Sequence, residues 1–173
     1  MQPDLPIAGA MDTLTQNERS RLMGRVRSRD TSPELVVRRL LHALGYRYRL
    51  HARALPGRPD IVFTARRKVI FIHGCFWHQH EGCAAGRVPK SNTAFWNEKF
   101  RGNRARDKRA VGALLSTKWD VCVLWECELA DPDALARTLR DFLGPVKFHG
   151  PRVPGSAWDF SAIESQLDEI YQD

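Results

Sequence analysis

Eleven consecutive residues, His73-Gly74-Cys75-Phe76-Trp77-His78-Gln79-His80-Glu81-Gly82-Cys83, hold three histidines, two cysteines and two adjacent aromatics. Core packing does not call for that mixture. Cys75, His80 and Cys83 offer sulfur and imidazole ligands at close spacing, and Cys127 could supply a fourth. Three cysteines and one histidine make a closed tetrahedral set of the structural zinc type. A loop this short cannot bury a core of its own, so a metal staple to the later strand near Trp125 is physically useful. Cys122 would point opposite to Cys127 on a strand and reads as a small buried hydrophobe. His73 and His78 are then free to move protons near neutral pH, the alternative being satisfied structural histidines.

A carboxylate adds a second chemistry. Pro59-Asp60 opens a predicted strand whose partner begins a few residues later. If the hairpin turns at Arg66-Arg67, Asp60 lies across from His73 and both face one edge of the sheet. A lone Asp at a strand end usually serves a turn or a cap. Between a basic strand and a histidine-rich loop, it can instead hold a divalent metal against a phosphate. Pro-Asp before a second strand is the opening half of the PD-(D/E)xK nuclease pattern. The usual acidic-x-Lys is absent, and Phe71-Ile72-His73 stands in its place. A backbone carbonyl near Ile72 is a hard oxygen ligand that could replace the missing carboxylate.

These residues need elements to position them. Ser32 as cap, Pro33 in the first turn and Gly45 as stop predict a helix with a Val37, Leu40, Leu41, Leu44 stripe. Strands are predicted over 46–50, 60–64 and 68–73, with Ala65-Arg66-Arg67 as a tight basic connection. Residues 74–91 read as irregular. A helix is predicted over 92–115 with a broken or polar middle near Gly102-Asn103. A buried strand over 119–125 follows, then a helix from Asp131-Pro132-Asp133 to Gly144. The order is helix, three strands, helix, strand, helix, which predicts an α/β fold with a mixed central sheet flanked by helices. Residues 1–16 read as a flexible N-terminal segment, 17–144 as the domain and 145–173 as a C-terminal extension.

The charge is unevenly placed. Residues 1–125 carry a net +13 and residues 126–173 a net −6. A basic body suggests a polyanionic partner. The chain has no apolar run long enough to span a bilayer and no basic signal-peptide start, so a cytoplasmic protein without membrane contact is expected. In a reducing compartment four cysteines favour metal ligation over disulfides.

Several ordered runs resemble the very-short-patch-repair (Vsr) mismatch endonucleases. They are Arg29-Asp30-Thr31 with Glu34, Leu55-Pro56-Gly57-Arg58-Pro59-Asp60, and Val69-Ile70-Phe71 followed by His73-Gly74-Cys75-Phe76-Trp77-His78. Phe95-Trp96 with Glu98-Lys99, Asn103 and Asp107, then Trp125-Glu126-Cys127, complete the set within residues 17–143. The resemblance implies a fold related to type II restriction endonucleases. It also implies nicking on the 5′ side of the thymine in T:G mismatches left by 5-methylcytosine deamination. By position, Asp60 and the main-chain oxygen of Ile72 match the Mg²⁺ ligands. His78 matches the general base, with Glu34 and His73 assisting. Cys75, His80, Cys83 and Cys127 match the zinc ligands, with one extra residue between His80 and Cys83. Phe76, Trp77 and Trp96 match residues that wedge beside the mismatch, where a mismatched step costs less to open. Met23 could intercalate from the opposite groove or simply pack a helix. Lys99 and Asn103 could reach base edges, and Arg101, Arg104, Arg106, Lys108 and Arg109 read as phosphate contacts. Implied partners are mismatched double-stranded DNA, mismatch-repair proteins and a cognate cytosine-5 methyltransferase system, with the enzyme acting as a monomer. Two rivals stand beside this: a related nuclease that nicks or cuts matched duplex, and a zinc-stapled DNA-binding module without activity.

Overall fold

The structure is a computed structural model, and it describes Arg21, residues 29–50 and residues 52–146. Met23, the segment 1–16 and nearly all of 145–173 lie outside the described residues. Helix α1 spans Ser32–Ala43. Strands β1 (Arg49–Leu50), β2 (Ile61–Phe63) and β3 (Lys68–His73) follow. A four-residue helix α2, Cys75–His78, stands where the sequence reads as irregular. Helix α3 spans Thr93–Ser116, strand β4 Asp120–Trp125 and helix α4 Pro132–Leu143.

The four strands lie in the order β1-β2-β3-β4. β2 pairs antiparallel with β1 and β3, and β4 adds parallel to β3. The mixed sheet and the element order match the expectation from sequence. Alternation along each strand sends side chains to two separate cores. Ile61, Phe63, Ile70 and Leu124 pack with Val36, Val37, Leu40 and Leu41 of α1 and with Leu135, Leu139 and Leu143 of α4. Val62, Val69 and Phe71 pack on the other face with Leu114 of α3 and Trp119. The sheet is therefore a middle layer, with α1 and α4 on one side and α3 on the other. Among the described residues no helix is long and apolar enough to cross a membrane.

Several boundaries differ from the sequence reading for identifiable reasons. Thr31, not Ser32, is the N-cap of α1. Its hydroxyl donates to Glu34 Oε1 at 3.0 Å. The predicted strand over 46–50 shrinks to two residues because Tyr46 still belongs to the helix end: its N–H donates to Leu41 O across Gly45, which has φ +86°. The strand after Asp60 stops at Phe63 because Thr64–Arg66 form a 3-10 turn. Helix α3 is unbroken through Gly102-Asn103. β4 starts one residue late and has Leu124 as its fully buried residue, with its neighbours half-exposed. That fits a strand paired on one side. Asp131 caps α4 as expected, accepting from the Ala134 N–H at 2.9 Å.

Candidate active site and metal centre

The site lies where β3 and β4 end side by side. Their parallel register pairs Ile72 with Leu124 and His73 with Trp125. On β2 the register is Ile61 opposite Ile70. That is two residues away from the register that would place Asp60 across from His73. Asp60 instead reaches the main chain just before His73: its Oδ2 accepts the Ile72 N–H at 2.8 Å. The turn leading to it is tightly placed. Gly57 has φ +73°, and a Cβ there would lie 2.5 Å from the Ala110 methyl of α3. Only glycine both adopts that backbone and lets the loop touch the helix.

Past β3 the chain turns at once into α2, and this brings His78 back over His73. The two imidazoles stack with centroids 3.8 Å apart and planes 9° from parallel. His78 Nδ1 lies 2.6 Å from Asp107 Oδ2 on α3. A carboxylate accepts, so Nδ1 carries a proton, and in the neutral ring that tautomer leaves the lone pair on Nε2. Burial pushes the pKa of His73 down to about 4, helped by the charge of His78 and opposed by Asp107. His73 is therefore neutral near pH 7. His73, His78 and Asp107 bring one ligand-type atom each within 4.8 Å of one another. Asp107 is a site residue to which the sequence reading assigns no role. The signal for it is helical spacing: Trp96, Phe100, Asn103 and Asp107 fall on the inward face of α3.

The second cluster is Cys75, His80, Cys83 and Cys127, whose donor atoms also lie within 4.8 Å of one another. His80 Nδ1 is 3.2 Å from Cys127 Sγ and 3.7 Å from Cys75 Sγ. The extra residue between His80 and Cys83 does not open this group, because Gly82 takes φ +75° and turns the chain back. Cys127 sits in a 3-10 turn, Glu126–Ala130, just beyond β4 rather than on the strand. Cys122 packs against the core as a thiol, and burial pushes its pKa up to about 11. Burial likewise pushes Cys75 up to about 12, whereas a backbone hydrogen bond from Ala85 lowers Cys83. A buried sulfur reluctant to ionise beside two more thiols and an imidazole is stabilised as thiolate by a dication. The donor set fits a tetrahedral metal of the zinc kind.

The remaining residues separate into packed and presented groups. Phe76 and Trp77 are half-exposed, with centroids 5.0 Å apart. Trp96 is only 5% exposed, buried against Phe76 and Phe100, while its neighbour Phe95 is 45% exposed. Asn103 is also buried: its Nδ2 donates to Trp77 O at 2.8 Å and Arg106 donates to its Oδ1. Lys99, Arg101 and Arg104 are exposed on α3. Glu34 is 4% exposed and accepts from Arg38 at 2.5 Å and from the Asp30 N–H at 3.2 Å. The structure does not gather Glu34 into the His73–His78–Asp107 cluster.

Known proteins resemble this chain over most of its length. The family model described as DNA mismatch endonuclease Vsr matches residues 11–84. The type II nicking enzyme V.XorIIP of Xanthomonas oryzae pv. oryzae is 53% identical over 134 residues, which is 78% of this chain and 98% of that protein. The type II nicking enzyme V.NmeAIP of Neisseria meningitidis is 40% identical over 136 residues, 79% of this chain and 96% of that protein. The DNA mismatch endonuclease Vsr of Escherichia coli is 42% identical over 117 residues, 68% of this chain and 74% of that protein. With a matching family model and relatives covered this fully, the chain belongs to the Vsr family and is a DNA endonuclease.

Proposed function

We propose that this endonuclease nicks one strand of double-stranded DNA 5′ of the thymine in a T:G mismatch, by Mg²⁺-dependent hydrolysis. The observation that carries the reading is the stacked His73–His78 pair, held by Asp107, at the end of the strand where the Asp60 carboxylate accepts the N–H of Ile72, the residue before His73. Asp60 and the Ile72 carbonyl fit a hard divalent ion. An extended residue sends its N–H and C=O to the same side of the strand, so the Ile72 carbonyl shares the side that its N–H presents to Asp60. When bound, Mg²⁺ lowers the pKa of the attacking water and stabilises charge on the phosphate and the leaving 3′-oxygen.

The chain's own residues supply the rest. His78 Nε2 takes the proton as water attacks in line, and Asp107 holds the ring in that tautomer. Neutral His73 supports the His78 ring from behind without adding a charge. Glu34, tied to Arg38, acts as a positioning residue at the start of α1. Phe76 and Trp77 form the wedge at the mismatch, with Trp96 packed behind them and Asn103 fixing the Trp77 main chain. Lys99 reaches base edges, and Met23 intercalates from the opposite groove. Cys75, His80, Cys83 and Cys127 hold a structural Zn²⁺ that takes no part in the chemistry. We place this architecture with the restriction-endonuclease-like folds.

The test is a panel of labelled duplexes incubated with Mg²⁺: one T:G mismatch in varied contexts, beside matched C:G and T:A controls. A nick confined to the thymine strand of T:G duplexes, and lost in Asp60→Ala, is the expected result. Equal nicking of matched duplex would assign the chain to a matched-sequence activity.

A further inference from the structure

The two side-chain clusters are not separate in space, because one indole bridges them. Trp125 ends β4 directly beside His73. Its ring lies face to face with His80, with centroids 4.2 Å apart and planes 5° from parallel. The same ring meets His73 edge-on, at 5.3 Å and 76°. His73 in turn stacks on His78, and His78 is hydrogen-bonded to Asp107. The contacts are continuous from the Cys75 and Cys127 sulfurs through His80, Trp125 and His73 to His78.

We propose that Trp125 is a positioning residue that links closure of the Cys75–His80–Cys83–Cys127 centre to the orientation of the His73–His78 pair. The inference rests on the preceding assignment of that pair to the reaction. The physical argument concerns what can fix a ring. His73 lies at a strand end and His80 in the loop after α2. A planar imidazole at such a place is oriented by its ring neighbours and by the atom its nitrogen binds. Aromatic pairs favour offset-stacked or edge-to-face geometry, so displacement of one ring disfavours the present pose of the next. With His80 Nδ1 directed at the sulfurs, metal binding fixes the His80 plane. Trp125 carries that plane to the edge of His73. Trp125 is itself anchored: its main-chain N–H donates to Glu128 Oε2 at 2.9 Å, and its strand is paired with β3.

Trp125→Leu removes both ring contacts and keeps an apolar strand residue. Trp125→Phe keeps a ring. With zinc-loaded protein, single-turnover nicking of the T:G duplex should slow by roughly tenfold in Trp125→Leu, with DNA affinity measured without divalent cation unchanged and with Trp125→Phe restoring most of the rate. Zinc transfer to a chelating dye should be faster in Trp125→Leu. The ring signals of His73 and His78 in ¹⁵N-histidine spectra should shift when zinc is removed from the native chain and shift much less when it is removed from Trp125→Leu. A native nicking rate in Trp125→Leu overturns the proposal, as does an equal ring response to zinc removal in both proteins. Loss of DNA affinity in step with rate, unrescued by Phe, also overturns it. If Trp125→Leu does not fold, Trp125→Phe and the native ring response decide: rings that ignore zinc removal sink the idea. A native protein that nicks no T:G duplex refutes the assigned reaction, while the zinc-transfer and ring measurements, which use no DNA, still judge the linkage.

Discussion

Strand β3 begins and ends among ionisable side chains, and its two ends use them in opposite ways. At the Lys68 end, the charges are absorbed by the fold. Arg66 donates to Leu143 O and Pro145 O, each at 2.8 Å, and Lys68 Nζ donates to Phe142 O at 2.5 Å, all at the C-terminus of α4. Arg67 donates to Thr117 O and, at 3.1 Å, to Lys118 O at the C-terminus of α3, and lies over the Trp119 ring. Helix C-termini carry orphan carbonyls and partial negative charge, so these cations complete the helices. At the His73 end the polar groups gather with one another: a histidine pair with Asp107, the Asp60 carboxylate on the Ile72 N–H, and a four-donor sulfur–imidazole cluster. The sequence marks both ends with polar side chains, three cations at 66–68 and three histidines between 73 and 80. The partner of each group tells a structural end from a chemical one.

Substitutions sharpen that contrast. The largest effect should come from Asp60→Ala, which removes the carboxylate proposed to hold Mg²⁺. Nicking should fall by ~10³-fold or more while duplex affinity without divalent ion is kept. A variant that still nicks at the native rate would separate Asp60 from the chemistry. Asp107→Asn should come next. The amide can offer N–H to His78 Nδ1 and so favour the tautomer that blocks Nε2. A rate loss of ~10²-fold, seen in single-turnover kinetics with little change in affinity, is expected. An unchanged rate would make the Asp107–His78 contact merely structural.

The sulfur–imidazole cluster gives a stability prediction of the same end. Cys127→Ser removes an exposed donor and leaves the core intact. Bound zinc, measured by emission spectroscopy, should drop below one per chain, and Tm should fall by roughly 5–10 °C. Retention of one zinc with unchanged Tm would show that Cys127 is not a ligand.

The two ends are unequally legible in the sequence. β3 and α4 can be read to within a residue, because a continuous apolar strand and an Asp-Pro start with a Gly stop are local signals. The four sulfur and imidazole donors are also readable, since soft ligands at close spacing have few other uses. What escapes is decided by tertiary partners. The length of β1 depends on Tyr46 finishing α1, with its hydroxyl donating to Gly144 O. The register of Asp60 depends on the 3-10 turn at Thr64–Arg66. Asn103 is turned inward onto the Trp77 carbonyl and Trp96 is packed against Phe76, partners that no local pattern shows. No local pattern distinguishes Arg67, bound to helix carbonyls, from Arg101, exposed beside Gln79 and Arg104 in an open notch.

That last pair gives the smallest and most discriminating test. Arg101→Ala and Arg104→Ala remove exposed cations from the face of α3 next to the wedge. Removing one phosphate-binding cation should reduce the slope of log affinity against log salt by about 1, weakening all duplexes alike. Arg67→Ala should leave that slope unchanged. Its effect should appear in denaturant unfolding instead, as a loss of about 1 kcal/mol, because two helix-terminal carbonyls lose their donor and must turn to water. If Arg67→Ala lowered the salt slope as much as Arg101→Ala, the hairpin end would be part of the DNA surface, and the division between the two ends of β3 would fail. Opposite readouts from two arginines of equal charge would show that the division follows from bonding partners and not from composition.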